Sequence, residues 1–218
     1  MQATLVAVLA SWALTQAAAP GPERCEPPLA PPVVLDDQFQ RPHALTAERG
    51  DVIVLVYGDR SAAAAVQDCA TALHVRFHPT AQGQPATQAQ KAPVSVPPGW
   101  PENGRLPEVR VTPVACLGGV PGLLVPLVRS QYRSRNPEWP VCLDFGDKMR
   151  QFYGLAGAVP NAALIDTRGR VRFLAHGTIG ATEFEQMVQF IEQLRREALQ
   201  PAPPDPPPEG TALAPPGR

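Results

Sequence analysis

The 218-residue sequence predicts an α/β domain, a mixed β-sheet flanked by helices with a β-hairpin at its N-terminal end. Three observations predict it. Residues 51–57, DVIVLVY, form an unbroken apolar, β-branched run, as expected of a strand buried on both faces. The run breaks at Gly58-Asp59-Arg60-Ser61 and is followed at once by the helix-forming SAAAAVQDCATAL, which is the first half of a βαβ unit. A content of 44% hydrophobic residues over this length is enough for one core and requires no second domain.

The remaining elements follow in order. Residues 33–51 alternate short apolar and polar pieces around Gln40-Arg41-Pro42, the pattern of a hairpin. Ser61 stands where a helix N-cap belongs. Residues 79–106, rich in Pro, Gln and Gly, are expected to be a partly disordered insertion loop outside the core. Strand structure resumes at 108–116. A helix spans 120–135, with Pro126 kinking it or delaying its start. A short strand at 140–144 and a short helix at 147–155 come next, the helix closed by Gly154 or Gly157. Residues 161–166 and 171–175 flank Arg168-Gly169 as a second hairpin. The stripe Phe184, Met187, Val188, Ile191, Leu194 marks a last amphipathic helix.

Composition bounds the function. The 19 basic and 20 acidic residues leave a net charge of −1, which provides no field for nucleic acid or for an anionic membrane. The 28 prolines crowd into three stretches, marking them as non-core. Residues 1–19 read as a signal peptide, with an apolar run at 5–14 and then Ala17-Ala18-Ala19, although its start carries no Lys or Arg. Residues 20–32 form a Pro-rich lead-in, 33–198 the folded domain, and 199–218 a Pro-rich tail expected to be disordered. No later stretch reaches the ~20 apolar residues of a membrane span. The expected product is therefore periplasmic or secreted, with no membrane span in the mature chain.

Four cysteines, Cys25, Cys69, Cys116 and Cys142, would survive cleavage. An even count in an oxidising compartment permits disulfides, in any of three pairings. Their spacing matches no zinc pattern, and no cofactor motif is present. Cys69 lies mid-helix among Ala and Val and reads as a core thiol. Cys142 in its apolar strand reads the same way. Cys116 closes a strand at the carboxyl end, where α/β sheets often place functional groups, although a core Cys or disulfide half fits better. Cys25 on the lead-in is a free thiol or a disulfide partner.

The order of these elements brings a family into view. VVLDDQFQRPHALTAERGDVIVLVYGD resembles the opening of the alkyl-hydroperoxide-reductase/thiol-specific-antioxidant (redoxin) branch of the thioredoxin superfamily. PVCLDFGDKMRQFYGLAGAVPNAALIDTRGRVRFLAHG is similar to that branch's second half. The resemblance covers roughly residues 33–196 without the 79–106 stretch. It implies a thioredoxin-like fold, and it places Pro160 of Val159-Pro160-Asn161 at the superfamily's cis-proline site, facing the start of the helix after the long strand.

At the catalytic position the sequence departs from the family. Redox members carry Cys-x-x-Cys in the first turn of that helix, where the helix N-terminus favours thiolate. Here the turn is Ser61-Ala62-Ala63-Ala64, and Ser61 and Ala64 hold no sulfur. A peroxiredoxin registration puts Gly58, Ala62 and Ala65 at the Pro, Thr and Cys positions, again without sulfur. Ser61 has no identifiable base, so an N-cap is the simpler role. His74, His78 and His176 read as solvated, and Arg129, Arg133 and Arg135 as a solvated basic face. Gly118-Gly119 lacks the Lys and Ser/Thr of a phosphate loop.

The expected function is a non-redox thioredoxin-like envelope protein that binds a protein or peptide partner, with no catalytic residue and no cofactor. The alternative is a thiol-disulfide oxidoreductase or peroxiredoxin-like antioxidant enzyme using a relocated cysteine. A third reading is a structural domain tethered by its tail.

Overall fold

The computed structural model describes residues 26–46, 50–101 and 104–199. The signal peptide, Cys25 and the tail from residue 200 lie outside the described residues.

Seven strands form one mixed sheet. They are β1 (Val34–Asp37), β2 (Pro42–Ala44), β3 (Val52–Gly58), β4 (Val109–Cys116), β5 (Cys142–Asp144), β6 (Asn161–Ile165) and β7 (Val171–His176). Their spatial order is β2-β1-β5-β4-β3-β6-β7. β3 pairs parallel with β4 and antiparallel with β6, so both of its edges are satisfied. All seven of its residues are buried.

The alternation of β3 divides the core. Val52, Val54 and Val56 face α1 (Ala63–Phe77) and α5 (Ala181–Glu197), and pack with Leu73, Phe77, Leu164, Ile191 and Leu194. Ile53, Leu55 and Tyr57 point the other way, onto Leu35, Val114, Met149, Tyr153 and Ile165. Met149 and Tyr153 come from a short helix, Lys148–Tyr153, which closes at Gly154 with φ +76° as the glycine reading expects. The long helix after β4 begins with a 3₁₀ turn at Gly122–Leu124 and runs as Val125–Arg135, with Pro126 in its first turn, so the proline delays the start and does not kink the helix. Val128 and Tyr132 of this helix pack on Ala115, Val141 and Leu143. Among the described residues, no helix is long and apolar enough to cross a membrane.

Residues 79–106 correct one expectation. Their described part is packed, with a 3₁₀ turn at Pro79–Ala81, a one-turn helix at Ala86–Ala89, and Ala81, Ala89 and Val94 buried. Prolines in this stretch mask its attachment, because polar groups elsewhere hold it. His74 and His78 are buried and stacked at 4.3 Å between ring centroids, not solvated as their surroundings in sequence suggested. His74 Nε2 lies 2.9 Å from the Ala89 carbonyl, and His78 Nδ1 lies 2.9 Å from that of Ala92. Burial lowers the His74 pKa, although the Ala89 carbonyl opposes the shift. The described end of the lead-in also pairs: Val171 N donates to Pro28 O, and Leu29 bridges Arg170.

Arg195 is the other anchor. Its side chain is fully buried, with Nη2 donating to Ser95 O at 2.7 Å, Nε donating to Pro107 O at 3.3 Å, and Nη1 paired with Glu192. Burial lowers its pKa and Glu192 opposes that shift. A buried guanidinium with these acceptors cannot be removed without orphaning them. We expect Arg195→Met to lower stability by about 2–4 kcal/mol in denaturant unfolding. The same variant should expose the Ser95 region to faster amide exchange, and wild-type exchange there would contradict the anchoring role.

Candidate functional site

The turn from β3 into α1 occupies the position where redox relatives of the fold carry their thiols. Gly58 is required at its start: a Cβ there would stand 2.9 Å from both Ala62 Cβ and Val66 Cγ2, and 3.4 Å from Val159 O. Ser61 does not cap α1, contrary to the sequence reading. The residue before the helix is Ala62, with helical backbone and no side-chain cap. The turn is closed by Asp59, because its Oδ1 accepts from Ser61 N at 2.9 Å, from Ala62 N at 3.1 Å and from the Ser61 hydroxyl. An aspartate four residues ahead of the first helical residue does the work assigned to serine. The bond from the Ser61 hydroxyl, and then that from the Ala158 amide, hold the Asp59 carboxyl below the ordinary carboxylate range against the opposing effect of burial.

Asp59 also ties the turn to the loop before β6. Its Oδ2 accepts from Ala158 N at 3.0 Å, so a carboxylate spans the space between this turn and the loop that carries Pro160. Pro160 is buried beside the turn, but its peptide bond is trans. The bend needs no cis bond, because two other features make it. Ala158 takes φ +62°, and the buried Asn161 side chain donates to Tyr57 O, Ala156 O and Val159 O while accepting from Ala156 N. His176 Nδ1 sits 2.9 Å from Asn161 Oδ1, which makes His176 a partner of this loop and not a solvated residue.

The described cysteines fall in two clusters on opposite faces of the sheet. Cys69 packs on the α1–α5 side of the sheet, whereas Cys116 and Cys142 pack on the other. None of the three is in a disulfide. Burial pushes the Cys69 thiol up to about 11 and the Cys142 thiol to about 12. Cys116 is likewise raised to about 12 by burial, with Asp144 and Asp147 adding to it. Ala64 is exposed and Ser61 is exposed, and neither brings a sulfur to the helix start.

Open space lies on the other side of the α1 start. A cavity of about 250 Å³ runs between α1, β4 and the Val125–Arg135 helix, which we label α3 after the one-turn helix at Ala86–Ala89 (α2). Gly58, Ala63, Ala64, Val66, Pro113 and Val114 line it, with Tyr132 and Arg135 from α3. No motif announced it, because its walls come from segments more than 80 residues apart and many of their side chains are small and unremarkable in sequence. The only usable signal was the run of four alanines at a helix start.

The Asp59 clamp has a testable sign. A carboxyl with a lowered folded pKa contributes stability above its unfolded value of 3.8, and that contribution is lost as pH falls through the folded value. Asp59→Asn keeps the shape and removes the charge, and should cost about 0.5–1.5 kcal/mol at neutral pH. Urea unfolding should show this difference shrinking below about pH 4, and a difference independent of pH would contradict the clamp.

No family model matches the chain, and no curated protein matches it. Among solved structures, the pneumococcal exposed lipoprotein thioredoxin Etrx1 of Streptococcus pneumoniae strain TIGR4 is similar at 13% identity, over 75% of this chain and 99% of that one, with a TM-score of 0.50. A putative thiol:disulfide interchange protein DsbE of Chlorobium tepidum is similar at 19% identity, over 77% and 96%, with a TM-score of 0.45. A peroxiredoxin-like protein of Aquifex aeolicus is similar at 10% identity, over 77% and 86%, with a TM-score of 0.46. At such identities the likeness concerns architecture. The seven-stranded mixed sheet, its flanking helices and the N-terminal hairpin together have the thioredoxin-like fold.

Proposed function

We propose that this chain is a non-redox thioredoxin-like module of the cell envelope that binds a protein or peptide partner. The observation that carries the reading is chemical. Thiol exchange needs a thiolate, and the helix N-terminus that supplies one in this fold holds Ser61 and four alanines. The described thiols are instead half-buried at Cys69 and buried at Cys116 and Cys142, and all three are raised well above neutral pH. The envelope location follows from the apolar run at 5–14 and its small-residue end. It is in keeping with the similarity to an exposed lipoprotein thioredoxin.

An apolar patch supports binding. Leu123 is 95% exposed, and Leu124 and Leu127 beside it are 47% and 56% exposed. Clustered exposed leucines of this kind mark interaction surfaces more than folding requirements.

The competing reading, an oxidoreductase with a relocated thiol, is favoured by one observation. Cys116 closes β4 at its carboxyl end, and the Gly58 backbone acts to lower its thiol pKa. Its burial and the nearby Asp144 and Asp147 charges work against ionisation, so the geometry lacks the electropositive setting that activates a thiol.

Insulin reduction and peroxide consumption separate the two, run beside Cys25→Ser, Cys69→Ser, Cys116→Ser and Cys142→Ser. We expect background rates for the wild-type protein and all four variants. Turnover that disappears in one variant alone would overturn the non-redox reading.

A further inference from the structure

We propose that the open edge of β4 at Val111 is a docking site for an extended peptide segment that carries an acidic side chain. The inference rests on the reading of the domain as a binding module, and names the surface and the class of ligand which that module takes.

β4 pairs with β3 over residues 109–115, but with β5 only over residues 114–116. Three contacts fix which of its backbone groups face outward. Val52 N donates to Glu108 O, so the even-numbered residues of β4 turn their amides and carbonyls toward β3. His78 Nε2 lies 3.1 Å from Val109 O, and Leu117 N donates to Asp144 O, so the odd-numbered residues turn the other way.

β5 cannot extend to cover this edge. One step before Cys142, its ladder would need a Pro140 N–H for Val111 O and a Pro113 N–H for Pro140 O. Neither proline has one. The chain leaves the sheet there and is held by the buried Gln38. Val141 N donates to Gln38 Oε1, and Gln38 Nε2 donates to Trp139 O, each at 2.8 Å. The Val111 N–H and C=O are left without a partner among the described residues.

These two groups open on a cleft of about 430 Å³, within the range of a ligand site. It runs beside residues 109–113 of β4, with His43, Trp139 and Pro140 on one side and Lys91 and Ala92 on another. A donor and an acceptor side by side on a strand edge are met together by a second main chain. Charge selects the side chain. Glu108 lies 3.2 Å from His78, His43 lies 3.0 Å from Asp37, and Arg110 lies 3.2 Å from Asp51. Lys91 is exposed and has no ion pair among the described residues, so it is the charge the cleft offers to a carboxylate.

The test is an amide NMR titration of the whole chain with blocked tripeptides, acetyl-X-Glu-X-amide, where X is Val, Leu or Tyr. We expect at least one of them to shift the Val111 amide saturably and to slow its exchange with solvent. N-methylation of every peptide amide removes the donors that Val111 O would accept from, and should weaken binding about tenfold or more. Gln in place of Glu should weaken it about threefold, and Lys91→Gln, a change at an exposed position, should abolish that preference. The site is refuted if no tripeptide moves Val111, if the methylated peptide binds as its parent does, or if wild type binds Glu and Gln peptides alike. It is also refuted if Lys91→Gln keeps the preference for Glu. Peptide binding that Leu123→Glu abolishes, with Val111 unmoved, would refute this site and leave the binding-module reading standing. Thiol turnover would remove the reading itself.

Discussion

The structure depends on the burial of β3. Each of its residues is enclosed, its two edges pair with β4 and β6, and its alternate side chains enter two separate clusters. An apolar side chain moved from water to such a position contributes about 1.5–3 kcal/mol, so this one strand organises a large share of the core. Position follows from it as well as stability. The end of β3 fixes Gly58, and with it the start of α1. Tyr57 O, facing Asn161 across the antiparallel pair, fixes the loop before β6. The site is therefore a consequence of where one strand stops.

That dependence explains which features were legible in the sequence. β3 was readable because six consecutive large apolar residues have no other explanation, and α1 because an alanine-rich run follows a Gly-Asp break. The two hairpins and α5 were readable through turn residues and a 3.6-residue stripe. The 79–106 stretch was not, because periodicity counts apolar residues and this segment is held by His74, His78 and Arg195 through its carbonyls. Two histidines at i and i+4 near a helix end were the available signal.

The site itself was half legible. The absence of sulfur at the α1 start could be read directly. The roles of individual residues could not, because they turn on side-chain hydrogen bonds made in space. Asp59 displaced Ser61 as the closing residue since its carboxylate reaches two amides, the hydroxyl and the facing loop at once. Pro160 is trans since Ala158 and Asn161 already make the bend. The cleft on the far side of α1 was invisible because small residues leave no pattern.

The central claim is that this domain keeps a thioredoxin-like architecture while the thiols of Cys69, Cys116 and Cys142 stand where they do not ionise at working pH. Residue-resolved alkylation of the native protein across pH tests it most directly, with mass spectrometry following Cys69, Cys116 and Cys142 separately. The account predicts that none of the three is alkylated with a midpoint below about 10, because burial pushes these thiols up to about 11, 12 and 12. A midpoint near neutral pH at any of these three would contradict it.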